Sequence, residues 1–99
     1  MSEERALVII QETLDGLHRS GLIQSPVPVD GATVILGSSS PLDSLGFVTF
    51  IADLEDRLSR ETDQEVSLVL NELHEFNENV PYLSAGAVAR YMAKLTNGI

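Results

Sequence analysis

The chain has 99 residues, enough for one domain with a single modest hydrophobic core. Fifteen acidic residues against six basic ones give a net charge of −9, which excludes phosphate-rich partners such as nucleic acid and anionic membranes. The absence of cysteine excludes disulfides, thiolate metal sites and a cysteine nucleophile. We expect a cytoplasmic protein, because the sequence shows neither a secretory signal nor an apolar run that could span a membrane. We also expect a monomer.

The first helix is predicted from about Ser2 to Arg19. Ser2 can cap its start, and Gly21 follows its last turn, where glycine commonly ends a helix. Apolar side chains recur every three or four residues and define a single buried stripe. The stripe consists of Leu7, Ile10, Leu14 and Leu17.

A long connection is predicted over residues 20 to 43, where glycine and proline interrupt any helical period. Its segment TVIL, at 33 to 36, could form a short strand, but no partner strand is evident. The connection should be anchored by its apolar residues Val27, Val29, Val34, Ile35 and Leu36.

The second helix is predicted from about Ser44 to Arg60, with one apolar face. That face consists of Phe47, Phe50, Ile51, Leu54 and Leu58. A short helix is expected near Leu70 to Asn77.

The last helix should start after a Ser84 cap and run from Ala85 to about Thr96. Its apolar stripe consists of Val88, Ala89, Met92 and Leu95. The predicted fold is therefore one all-α domain over residues 1 to 99. It is a four-helix bundle of three longer helices and one short one, with a long loop between helices one and two.

The pair Asp43-Ser44 stands where the long connection meets the second helix. One interpretation is a simple N-cap, a common use of aspartate and serine at this position. The other is that Ser44 carries a phosphate ester, since a helix start favours a bound anion. The local pattern leaves both interpretations open.

A serine hydrolase and a metalloprotein are the competing chemistries, and the sequence favours neither. Leu42 stands where the hydrolase motif G-x-S-x-G needs its first glycine, and no sheet is predicted to support the motif. Both histidines, His18 and His74, lie in polar helical stretches where a solvated side chain is the ordinary role. The acidic clusters lack the spacing of a calcium loop, so we expect no metal site and no catalytic residue.

The chain resembles the acyl carrier protein family over essentially its whole length. The resemblance is carried by Asp43-Ser44-Leu45, which opens an acidic helix about 25 residues after the end of the first helix. It is also carried by the apolar stripe of that helix, by the closing segment SAGAVARYMAKL and by the lack of cysteine.

This resemblance implies that Ser44 receives a 4′-phosphopantetheine arm from coenzyme A, with Asp43 beside it. The enzyme responsible would be a phosphopantetheinyl transferase. The arm would carry acyl groups as thioesters for a fatty acid, specialised lipid or secondary-metabolite pathway, so the chain would be a non-catalytic carrier. In this family the second helix binds partner enzymes through their basic patches. The corresponding residues here are Leu45, Val48, Ala52, Glu55 and Asp56.

The resemblance also implies that an acyl chain can lie between the helices, with Phe50, Ile51 and Leu54 as walls. The sequence departs from the family pattern at Gly46 and Thr49, where acids are common, which favours a specialised pathway. Two alternatives stay open: a peptidyl or aminoacyl carrier, and an acidic helical adaptor with no prosthetic group.

Overall fold

The computed structural model describes residues 2–24, 26–36, 44–63, 65–66, 68 and 83–97. Within these ranges the chain is predominantly helical and forms three helices and two short strands. The helices are α1 (Glu3–Arg19), α2 (Ser44–Thr62) and α3 (Ala85–Asn97), and the strands are β1 (Val34–Leu36) and β2 (Leu83–Ser84). The helical class is thus confirmed. The short helix expected at Leu70 to Asn77 lies outside the described residues, so the four-helix count stays a prediction.

Helix α1 has the start and the end that the sequence predicts. The Ser2 hydroxyl accepts a hydrogen bond from the backbone N–H of Arg5 at 3.1 Å. At the other end Gly21 has a positive φ of 84°, and the N–H of Leu22 donates to the carbonyl of Leu17. This closure satisfies carbonyls that the last helical turn would otherwise leave unpaired.

The core lies where α1 packs against both α2 and α3. All five apolar residues predicted for the buried face of α2 are buried, and so are Val88, Ala89 and Met92 of α3. On α1, Leu7 is only partly buried, whereas Ala6 and Ile9 lie in the core beside the predicted Ile10, Leu14 and Leu17. The stripe on α1 is therefore wider than the sequence spacing indicated.

The segment that the sequence marked as a possible short strand forms β1, and it has a partner that was not evident from the sequence. It pairs antiparallel with β2, with Val34 opposite Ser84 and Leu36 opposite Leu83. Strand β2 has only two residues and runs directly into α3, so it is too short to show the alternation that marks a strand in sequence. Ser84 still caps α3, because its hydroxyl accepts from the N–H of Ala87.

The described part of the connection before β1 is held by α1 and α3. The Gln11 amide of α1 donates to the carbonyl of Val27 and accepts from the N–H of Val29, both at 2.8 Å. Further along, the carbonyl of Gly31 accepts from Gly86, and that of Thr33 accepts from Ala85. These two N–H groups belong to the first turn of α3, so the connection supplies partners that the helix itself cannot.

Ion pairs join α1 to α2 on the surface. Arg5 of α1 donates to Glu61 of α2 at 2.6 Å, and Arg57 of α2 contacts Glu12 of α1 at 3.6 Å. Arg57 also pairs with Asp53 on its own helix at 3.1 Å. The hydrogen bond to Glu61, followed by the charge of Glu61, raises the pKa of Arg5 above its ordinary value. Exposed pairs of this kind add little stability, and the alignment of the two helices depends mainly on the core.

Two glycine-to-alanine substitutions should change stability in opposite directions. A Cβ on Gly86 would lie 2.7 Å from the carbonyl oxygen of Gly31, so Gly86→Ala should lower the free energy of unfolding by about 1–3 kcal/mol. Gly16 lies within α1 with only flexible arginine ends near its Cβ position, so Gly16→Ala should raise that energy by about 0.5–1 kcal/mol. Urea unfolding measures both, and equal effects of the two variants would contradict the close packing at Gly86.

Candidate functional site

The candidate site begins at the amino end of α2. Ser44 is the first residue of this helix, as the sequence predicted. The structure therefore puts its backbone at the positive end of the helix dipole. Asp43 and the side chain of Ser44 lie outside what the structure describes, so the capping and modification roles proposed for the pair stay predictions.

Two large apolar side chains are exposed directly after Ser44. Leu45 is 65% exposed and Val48 is 63% exposed, well above the next most exposed large apolar residues of the described chain, Val8 and Leu22. Ala52, one turn beyond Val48, is exposed as well. Leu45 and Val48 lie outside the core cluster, and clustered exposed apolar side chains are typical of contact surfaces.

These residues share one face of α2 with an acid. Leu45, Val48, Ala52 and Asp56 recur every three or four residues and are all exposed, so they form one continuous strip, which we call the exposed row. The exposed row lies opposite the buried face of α2. Asp56 is paired with Arg60 on the next turn at 2.8 Å, which partly neutralises the acid at the far end of the row.

Glu55 behaves differently from the other predicted partner-binding residues. It is half-buried at the edge of the exposed row, and its carboxylate accepts a hydrogen bond from the backbone N–H of Leu68 at 2.9 Å. One turn later the Ser59 hydroxyl accepts from the N–H of Val66 at 3.0 Å. We call these two interactions the Glu55–Ser59 clamp.

The Glu55–Ser59 clamp was not predicted from the sequence. Ser59 is an ordinary polar residue on a helix surface, and its partner lies seven residues ahead in a stretch without periodicity. The only signal was the apolar character of Val66 and Leu68, which shows that they are buried but not which side chains hold them.

The predicted walls of an acyl site lie in the packed core. Phe50 and Leu54 are fully buried and Ile51 is almost so, while the rings of Phe47 and Phe50 stack with their centres 6.5 Å apart. An open groove of about 280 Å³ between α1 and α2 lies elsewhere and is lined mainly by charged residues. Its lining consists of Arg5, Ile9, Glu12, Arg57, Arg60 and Glu61. The acyl-binding role of these residues stays a prediction.

The residues that the competing chemistries would use are only partly described by the structure. Within the described part of the chain, no three side chains of the His, Asp and Glu types come together as a metal site would require. His18 is half-buried on α1, and His74 lies outside the described residues. None of the three described helices is long and apolar enough to cross a membrane.

Comparison with models of protein families, with curated proteins and with solved structures gives no significant match to this chain. The resemblance to acyl carrier proteins therefore depends on the sequence motifs quoted above and stays a prediction.

Replacing both exposed apolar residues by glutamine should leave the fold intact. We expect Leu45→Gln and Val48→Gln each to change the free energy of unfolding by no more than about 0.5 kcal/mol, because both side chains are mostly in water already. Leu54→Ala, on the buried face of the same helix, should lower the free energy of unfolding by about 2–5 kcal/mol. Urea unfolding of the three variants measures these changes. A large loss of unfolding free energy in Leu45→Gln or Val48→Gln would show that the side chain packs into the core.

Proposed function

We propose that the chain is an acyl carrier protein whose Ser44 receives a 4′-phosphopantetheine arm. The observation that carries this proposal is the exposure of Leu45 and Val48 immediately after Ser44, on the face of α2 opposite the core. A helix that places a modifiable serine beside an apolar contact surface suits a protein that must be recognised at the point of modification.

The described geometry fits a phosphodiester on Ser44. Because α2 begins at Ser44, a group attached there would lie at the positive end of the helix dipole, which stabilises a nearby anion. Leu45 and Val48 are themselves exposed, so a partner could contact α2 close to Ser44. When bound, the arm supplies the thiol that holds acyl groups as thioesters, a group that the cysteine-free chain lacks.

The chain itself contributes recognition rather than catalysis in this proposal. The exposed row offers an apolar centre at Leu45 and Val48, and the net charge of −9 attracts partners with basic patches. A phosphopantetheinyl transferase and the acyl-loading and acyl-transfer enzymes would dock on this row in turn. A flexible arm raises the effective concentration of its cargo for each docked partner.

The alternatives share parts of this description. A peptidyl or aminoacyl carrier would use the same serine and differ only in its cargo. An acidic adaptor without a prosthetic group would use the exposed row alone, with Ser44 as a cap. The exposed apolar pair supports docking in all three cases, so modification of Ser44 separates the carriers from the adaptor.

Intact-mass measurement tests the attachment. After incubation with coenzyme A, magnesium and a broad-specificity phosphopantetheinyl transferase, we expect the mass to rise by one 4′-phosphopantetheine group. Ser44→Ala should abolish the increase, whereas Ser2→Ala, which removes the capping serine of α1, should leave it unchanged. An unmodified wild-type chain would contradict the carrier proposal and favour the adaptor. An arm that persists in Ser44→Ala would contradict Ser44 as the attachment site.

The rate of loading tests the docking surface. Leu45→Gln and Val48→Gln should each lower kcat/KM for arm transfer by about tenfold or more, as expected for apolar residues at the centre of an interface. Val8→Gln, at an exposed apolar position on α1, is the matched control and should load at the wild-type rate. Unchanged loading of both α2 variants would remove the exposed row from transferase recognition.

A further inference from the structure

The Glu55–Ser59 clamp joins α2 to Val66 and Leu68, two residues that pack at the edge of the core. Its two acceptors lie four residues apart on α2 and receive the N–H groups of Leu68 and Val66, which are two residues apart. Two acceptors one helical turn apart on α2 thus hold two backbone groups that are close together in sequence. The clamp therefore holds Val66 and Leu68 against α2 through side chains of that helix.

The two residues that the clamp holds in place have apolar side chains. Val66 is 6% exposed and Leu68 is 7% exposed, and both belong to the same core cluster as the buried face of α2. Their burial needs a backbone that stays against α2, and a buried N–H without an acceptor is costly. Loss of the clamp should therefore loosen the packing of these two side chains.

Glu55 is also accessible from the outside. It is only half-buried, and it comes three residues after Ala52 and directly before Asp56, both in the exposed row. Asp56 is paired with the cationic Arg60, whereas the hydrogen bond to Glu55 comes from the uncharged N–H of Leu68. A carboxylate binds a guanidinium or ammonium group more strongly than it binds a neutral amide.

We propose that Glu55 acts as a releasable latch: its hydrogen bond from Leu68 holds the edge of the core, and a partner can break that bond. In the unbound chain its carboxylate holds Leu68 against α2. When a partner docks on the exposed row, one of its arginine or lysine side chains binds the Glu55 carboxylate. The N–H of Leu68 then loses its acceptor, and the packing at Val66 and Leu68 loosens. The latch itself depends only on the described contacts, while its release by a partner rests on the docking role proposed for the exposed row.

Amide hydrogen exchange followed by NMR tests the latch on the unmodified chain. Glu55→Ala should speed exchange of the Leu68 amide by about tenfold or more, since a hydrogen bond to a charged group is lost. Ser59→Ala should act mainly on the Val66 amide. Asp53→Ala removes an acid of α2 that pairs with Arg57, and it should leave both amides unchanged. Leu68 exchange that is the same in Glu55→Ala and wild type would overturn the latch.

Release is tested with a hexa-arginine peptide as the basic probe. Added to the wild-type chain, the peptide should speed exchange at Leu68. Glu55→Gln keeps an oxygen acceptor without the charge, so its Leu68 amide should stay protected whether or not the peptide is present. Peptide binding, monitored by chemical shifts of the exposed row, without faster exchange at Leu68 would overturn release by a cation.

These measurements use neither coenzyme A nor a transferase. A failure of Ser44 to accept an arm would therefore leave the exchange result at Leu68 unaffected, and a failed latch would leave the mass result unaffected.

Discussion

The burial of five large apolar side chains on one face of α2 is the constraint on which the rest of the arrangement depends. Because Phe50, Leu54 and Leu58 are fully enclosed, α2 cannot rotate about its axis without exposing them to water. This fixed rotation determines that Leu45 and Val48 face outwards and that Glu55 and Ser59 face the segment containing Val66 and Leu68. The candidate docking surface and the clamp are both consequences of the same packed face.

Exposed apolar side chains are tolerated at the start of α2 because the core is complete without them. The buried cluster draws on all three described helices and on Ile23, Ile35, Val66 and Leu68. Leu45 and Val48 lie outside this cluster and contribute little to it. Their exposure lowers solubility and does not stabilise the fold. Recognition by another molecule gives a physical reason for this exposure.

The helices and most of the core followed from sequence periodicity. The capping serines Ser2 and Ser84, the stop at Gly21 and the buried face of α2 are local patterns, and each is found where it was expected. The start of α2 at Ser44 was predicted for the same reason. The role of Ser44 and Asp43 stays a prediction, because it depends on chemistry that the chain geometry alone does not test.

Features that depend on contacts distant in sequence were not predictable. Gln11 pairs with Val27 and Val29, Glu55 pairs with Leu68, and β1 pairs with a two-residue strand about 50 residues later. Each uses an ordinary polar residue or a very short segment whose partner is brought close only by folding. For Glu55 the difference matters, because the family resemblance implied a partner-binding acid while the fold also gives it an internal partner.

The connection before α2 is less free than its length implies. It is fastened to α1 through Gln11 and to the first turn of α3 through Gly31 and Thr33, and β1 adds the pairing with β2. Only residues 37 to 43 separate this fastened part from Ser44. So short a stretch has a fixed maximal reach. It therefore limits how far the amino end of α2, with the proposed attachment serine, can lie from β1 and from the first turn of α3.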